Sequence, residues 1–154
     1  MYERILVPVE HTPYDQVILD HVRKLARACN NNASIVLIHV ADGWAARNIK
    51  ELDLRESEEM KSDREYIEAI ADSLESEGFE AEAILAGGEP AKEIAACAER
   101  ENCDLIAMAT HGHRGLSDVI RGSVASELRH ISMVPVLMVR GSPVASPPAP
   151  RPIA

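Results

Sequence analysis

Aromatic rings are scarce in this chain. One phenylalanine, one tryptophan and three tyrosines make up 3% of 154 residues, so its core must be aliphatic. Basic residues are in deficit too: 16 lysines and arginines face 25 aspartates and glutamates, for a net charge of -9. A nucleic-acid binder needs a basic face, so that class is set aside, although Arg114 and Arg121 could form a local basic patch. Cysteine is limited to Cys29, Cys97 and Cys103. An odd set without Cys-x-x-Cys spacing reads as small buried hydrophobes in a reducing compartment. The opening Met-Tyr-Glu-Arg-Ile-Leu-Val lacks a signal-peptide layout, and no apolar run is long enough to cross a bilayer. A cytoplasmic protein without membrane contact is the expectation. Two nucleotide fingerprints are also missing. There is no Gly-x-x-x-x-Gly-Lys-Ser/Thr of a P-loop, and no Gly-x-Gly-x-x-Gly after a first strand.

What is present alternates between strand and helix. Arg4–Val9 is a short apolar run, the first strand, with Pro8 near its end because proline cannot donate to a ladder. Thr12-Pro13 reads as a helix entry, a cap residue followed by proline, with Asp15 in the first turn. Ile18, Val22, Leu25, Ala26 and Cys29 form its apolar stripe, and Asn30-Asn31-Asn32 ends it. Ala33–Val40 is a continuous β-branched strand. Ala41–Leu54, with Trp44, is a loop or short helix. Arg55–Glu77 has helical period through Met60, Ile67, Ile70, Ala71 and Leu74, closed by Gly78, with its acids (Glu59 and Asp63 among them) on a solvated face. Phe79–Leu85 is an edge strand with Glu80 and Glu82 on one face, and Gly87-Gly88-Glu89-Pro90 is a turn into a helix striped by Ile94, Cys97 and Ala98. Leu105–Ala109 and Pro135–Val139 are the last two strands. The sequence 141–154 is proline-dense and aperiodic, a disordered tail to a single domain spanning 1–140.

The order βαβαβαβαβ implies right-handed crossovers and an open, doubly wound parallel sheet of five strands with helices on both faces. Ligands of such sheets bind beyond the carboxyl ends of the strands, where strand order reverses. Leu105–Val124 delivers a buried strand, then Gly112, Gly115 and Gly122, then Ser123 as the expected start of a helix reaching about His130. Bare backbone N–H groups at a helix N-terminus suit an anion such as phosphate.

These segments make the chain similar to the universal stress protein family over Met1–Arg140. The likeness rests on Arg-Ile-Leu-Val-Pro-Val, Leu-Ile-His-Val, Gly-Glu-Pro, Asp104–Val124 and the closing Val-Pro-Val-Leu-Met-Val-Arg. The family's ATP pattern is Gly-x2-Gly-x9-Gly-Ser/Thr. Gly112 and Gly122-Ser123 fit its later parts, and Ala109 stands where its first glycine falls. The expected strand order is 3-2-1-4-5. The resemblance implies an ATP site, with or without Mg2+. Val40 would contact adenine through its backbone, Pro8 would wall the pocket, and Val9 is counted with them among the cofactor-binding residues. Glu10, where the family has aspartate, would accept from ribose hydroxyls. Met108, Ala109, His111 and Gly112 would line the ribose and α-phosphate side, and Gly122, Ser123 and Val124 would hold the outer phosphates. It also implies a homodimer paired through Val136–Val139.

The resulting expectation is a nucleotide-binding regulatory protein of the stress response with an unidentified protein partner and, at most, slow ATP hydrolysis. No Walker-type lysine and no paired carboxylates for Mg2+ are evident. An interaction module of the same fold without nucleotide, favoured by Ala109, is a second reading. A metal site drawn from His11, His39, His111 and His113 beside Glu10 is a third.

Overall fold

The computed structural model describes residues 1–29, 32–42, 53–111 and 116–141. Trp44 and the tail beyond Gly141 lie outside the described residues. In chain order the elements are β1 (Arg4–Pro8), α1 (Asp15–Ala28), β2 (Ser34–Asp42), α2 (Asp53–Ser76), β3 (Ala81–Gly88), α3 (Pro90–Arg100), β4 (Leu105–His111), α4 (Leu116–Ile131) and β5 (Val136–Gly141). All the strand pairings are parallel, in the order β3-β2-β1-β4-β5, as the alternating pattern predicts.

Side-chain alternation splits the core in two. Ile5, Val7, Val9, Ile35, Leu37, Leu105 and Ala107 pack with Ile18, Leu19 and Val22 of α1 and Ile67, Ala71 and Leu74 of α2. Leu6, Val36, Ile38, Ile106 and Met108 pack with Ile94, Cys97 and Ala98 of α3 and Ala125 and Leu128 of α4. Central strands buried on both faces need continuous rather than alternating hydrophobic runs, which is what β1, β2 and β4 carry. All three cysteines are buried and free. The single phenylalanine, Phe79, is buried beneath the Arg27 guanidinium, 5.0 Å from the ring centroid.

Four local expectations are corrected. Thr12 does not cap α1: its hydroxyl is buried without a partner, and the carboxylate of Asp15 reaches back to the Thr12 N–H instead, at 3.2 Å. A carboxylate at the first residue of the helix meets the N–H groups of the preceding loop with a formal charge, which a hydroxyl lacks. Gly87 and Gly88 are not a free turn, because β3 keeps its register with β2 as far as Asp42↔Gly88. Gly88 has φ +136, and a Cβ there would lie 2.8 Å from Oε1 of Glu93, so the strand ends on a residue only glycine can supply. Phe79 lies before β3 rather than in it. The last helix begins at Leu116, so Gly122 and Ser123 lie inside it rather than at its start. Leu116, Ile120, Val124 and Leu128 recur every fourth residue, and that period carries the helix through one glycine, whose interior cost is about 1 kcal/mol.

Candidate functional site

The sheet opens where strand order reverses. β1 pairs with β2 from Arg4↔Ser34 to Pro8↔Ile38, and β4 pairs with β5 from Ile106↔Val136 to His111↔Gly141. Between β1 and β4 the register covers only Ile5↔Leu105 and Leu6↔Ile106. Past that point β1 stays with β2, as the Val9 N–H donates to the Ile38 carbonyl at 2.9 Å. The carboxyl halves of β1 and β4 therefore part from one another, at the topological switch point where open α/β sheets accept ligands.

Most of the sequence-derived site residues gather along this edge. Pro8 ends β1 and Val9 and Glu10 follow it, Val40 is near the end of β2, and Met108, Ala109 and His111 lie in the last half of β4. They do not share a face. Val40 and Met108 join Val124 on the α3–α4 side, whereas Val9 and Ala109 pack on the α1–α2 side. The Ala109 methyl thus sits against the core beneath α1 and α2. Glu10 and Ser123 are exposed. Gly112 and His113 fall outside the described residues, and so do the side chains of His111 and Gly122. Because α4 runs from Leu116, the Gly122 and Ser123 N–H groups stand at interior helical positions, where such groups bond to the carbonyl four residues back. The anion cradle expected there is closed in this form of the helix.

The loop after β1 is held from within. Asp15 is 3% exposed and is the only charged side chain buried among the described residues. Its Oδ1 accepts the Glu10 N–H at 2.9 Å, and its Oδ2 accepts the N–H groups of His11 at 2.9 Å and Thr12 at 3.2 Å. The Tyr66 hydroxyl on α2 donates to the same oxygen. Burial, followed by this bond to Asp15, pushes the Tyr66 phenol well above its ordinary range. His11 is left-handed, φ 65, a conformation costing a non-glycine residue about 1–2 kcal/mol and sustained here by the carboxylate's grip on both sides of it. With its three N–H groups turned onto an internal carboxylate, this loop offers no amide cradle for phosphate. It presents Pro8 and the Glu10 side chain.

Beside Asp15 lies a second cluster. The His11 ring stacks on Tyr66, with centroids 3.9 Å apart and planes 17° from parallel. His11 Nδ1 is 3.0 Å from Oδ1 of Asp63, His39 Nε2 is 3.3 Å from its Oδ2, and His39 Nδ1 is 2.9 Å from the Val9 carbonyl oxygen. Asp63, expected on a solvated face, is partly buried and faces the sheet. Its position three and four residues before Tyr66 and Ile67 puts it on the inward stripe of α2, which is the sequence signal for it. Among the described residues, no group of three or more histidine, cysteine or acidic side chains is arranged to hold a metal ion. The two rings address separate oxygens of one carboxylate.

The family model described as Universal stress protein family matches residues 1–140. This chain belongs to the universal stress protein family. It is 30% identical to Universal stress protein MJ0577 of Methanocaldococcus jannaschii, over 91% of this chain and 96% of that one. The solved structure of MJ0577 aligns with a TM-score of 0.76 at 29% identity, covering 92% of this chain and 98% of that chain. Two further family structures hold nucleotides. The universal stress protein of Archaeoglobus fulgidus in complex with dAMP aligns at TM-score 0.63 and 20% identity, covering 90% and 98% of the two chains. A universal stress protein in complex with cAMP aligns at TM-score 0.63 and 18% identity, covering 92% and 98%. No helix among the described residues is long and apolar enough to cross a membrane.

Proposed function

We propose that this universal stress protein binds an adenine nucleotide, ATP by its motif, and acts as a homodimeric regulatory protein rather than a committed enzyme. The observation that carries the reading is the parting of β1 from β4 after Leu6 and Ile106. It leaves Pro8 and Glu10 on one lip and Met108 on the other, with Val40 on the neighbouring strand. The dAMP and cAMP complexes of relatives lend support to an adenine nucleotide as the ligand class. Val40 would meet adenine through its backbone, and the Glu10 carboxylate would accept from ribose hydroxyls.

The phosphate side is met only when α4 starts at Ser123. Opening the turns before it would free the Gly122, Ser123 and Val124 amides to face phosphate oxygens. Glycine at position 122 makes that the least costly place to end the helix. Mg2+, where it accompanies ATP, would be held largely by the phosphates.

Isothermal titration of the full chain with ATP tests the reading. Binding with thermal stabilisation is expected, and neither heat nor stabilisation at millimolar ATP would exclude it. The second reading, an interaction module without nucleotide, draws on the uninterrupted α4, and it gains if that titration is silent. Homodimerisation through Val136–Val139 fits the position of β5 at the sheet edge, where unpaired backbone groups invite a partner strand.

A further inference from the structure

The loop after β1 has the backbone of an anion site whose anion is the protein's own. Successive N–H groups that converge around a left-handed residue form a concave nest for negative charge, and His11 at φ 65 is such a residue. Here the Glu10, His11 and Thr12 N–H groups all point at Asp15, which is 3% exposed and also takes the Tyr66 hydroxyl. Glu10 is thereby fixed from two elements. The Val9 N–H before it donates to Ile38 of β2, and its own N–H donates to Asp15 of α1. The basic side chain of the loop, His11, is turned to Asp63 and stacked on Tyr66. A phosphate arriving at this lip would find the amides spent and would meet the exposed Glu10 carboxylate with a buried one behind it. A hydroxyl needs only an acceptor, which a carboxylate supplies. Dinucleotide-binding folds make the same choice: an acid receives a free ribose hydroxyl, and an arginine is needed where that ribose carries phosphate.

We infer that Asp15 is a positioning residue that sets specificity: it commits this lip to free ribose hydroxyls and bars a phosphate from the 2′ and 3′ oxygens. The ligand class narrows to adenine nucleotides phosphorylated at the 5′ position alone. The inference rests on the nucleotide reading above, in which Glu10 faces the ribose. Asp15 acts without touching the ligand, by holding Glu10 in place and by consuming the three amides that would otherwise welcome an anion.

The test has two arms, both on the full chain. Calorimetric titration compares adenosine 5′-monophosphate with its 3′ isomer, and backbone amide NMR follows the loop as inorganic phosphate alone is added. Wild type is expected to prefer the 5′ isomer by about tenfold or more, with its Glu10, His11 and Thr12 amide signals unmoved by phosphate. Asp15→Ala vacates the nest. Its three amides should shift saturably with phosphate, phosphate should raise its melting temperature more than chloride does at equal ionic strength, and the isomer preference should fall to about threefold or less. Asp15→Asn serves if alanine does not fold. It exchanges one oxygen for a donor, so at least one of the three amides should respond to phosphate and the preference should narrow. Wild-type amides that shift as the variants' do, variant amides that ignore phosphate, or wild type binding the two isomers equally would each overturn the inference. So would a preference left unchanged by both variants. A wild type that binds neither isomer nor ATP would instead defeat the nucleotide reading, and the phosphate response of the three amides would still decide the role of Asp15.

Discussion

The Tyr66 hydroxyl on α2 donates to the Asp15 carboxylate in the first turn of α1, on the oxygen that also takes the His11 and Thr12 N–H groups. The bonds to Asp15 are of two kinds, one hydroxyl and three backbone N–H groups, and their loss should differ in size. Tyr66→Phe removes one donor from a carboxylate that keeps three, and should cost about 1–2 kcal/mol. Asp15→Ala leaves three N–H groups without their acceptor and should cost more, about 2–4 kcal/mol. Urea unfolding midpoints of the two variants check the order. Equal losses would mean that the loop amides find other partners.

Alkali should destabilise the fold through Cys103. Burial pushes this thiol from 9.0 up to about 11, partly offset by Arg4. The folded chain therefore keeps the proton over a range in which the unfolded chain has lost it. Stability from this group is complete below about pH 9 and declines as pH climbs to about 11. The loss is about 2–3 kcal/mol at most. Tyr66, raised in the same direction, extends the decline further upward. Cys103→Ala should flatten the slope over the lower part of this range in denaturation curves taken at successive pH values.

Gly122→Ala separates two demands on one residue. Inside a formed helix, alanine replaces glycine with a gain of about 0.5–1 kcal/mol. If nucleotide phosphates require the helix to end there, the same change opposes ligand. The variant is expected to melt higher alone and bind ATP several-fold more weakly. Thermal unfolding with and without ATP reads both effects.

Ala109→Gly should do little for affinity despite restoring the family's glycine. The alanine methyl packs on the α1–α2 side, away from Val40 and Met108. A change in ATP affinity of less than about threefold is expected, with a stability cost of about 0.5–1 kcal/mol from the added backbone freedom. A tenfold gain by calorimetry would place the methyl in the ligand's way.

Val139→Lys addresses assembly. Val139 is half-buried on the edge strand and pairs only inward, with Ala109. A lysine there charges the edge, and a dimer joined through β5 should give way to monomer in sedimentation equilibrium.

The strand order and the two-sided core were legible because long apolar runs and four-residue helical stripes are local patterns. The start of α4 was not, because Gly122-Ser123 has the chemistry of a cap while Leu116, Ile120, Val124 and Leu128 have the period of a helix, and the two local signals point to different starts. Asp15 looked like an ordinary first-turn acid, and Asp63 like one more charge on a charged helix. What distinguishes them is which side chains approach from other elements, namely Tyr66 to the first and His11 and His39 to the second. Those meetings span 24 to 52 positions in the chain and depend on the sheet being assembled. The residues proposed to meet adenosine could be picked out as a group because they lie at or just after strand ends, a position the alternating pattern already marks.

The narrow register between β1 and β4 has a mechanical consequence. Three strands on one side and two on the other are each laced along most of their length, but the ladder between the halves covers two residue pairs, reinforced at its start by the bonds of Asp104 to the backbone of Glu3 and Arg4. One shared core beneath α1 spans both halves, so the opening is confined to the carboxyl ends of the strands. A guest arriving at that line can wedge the halves apart slightly without unzipping either of them.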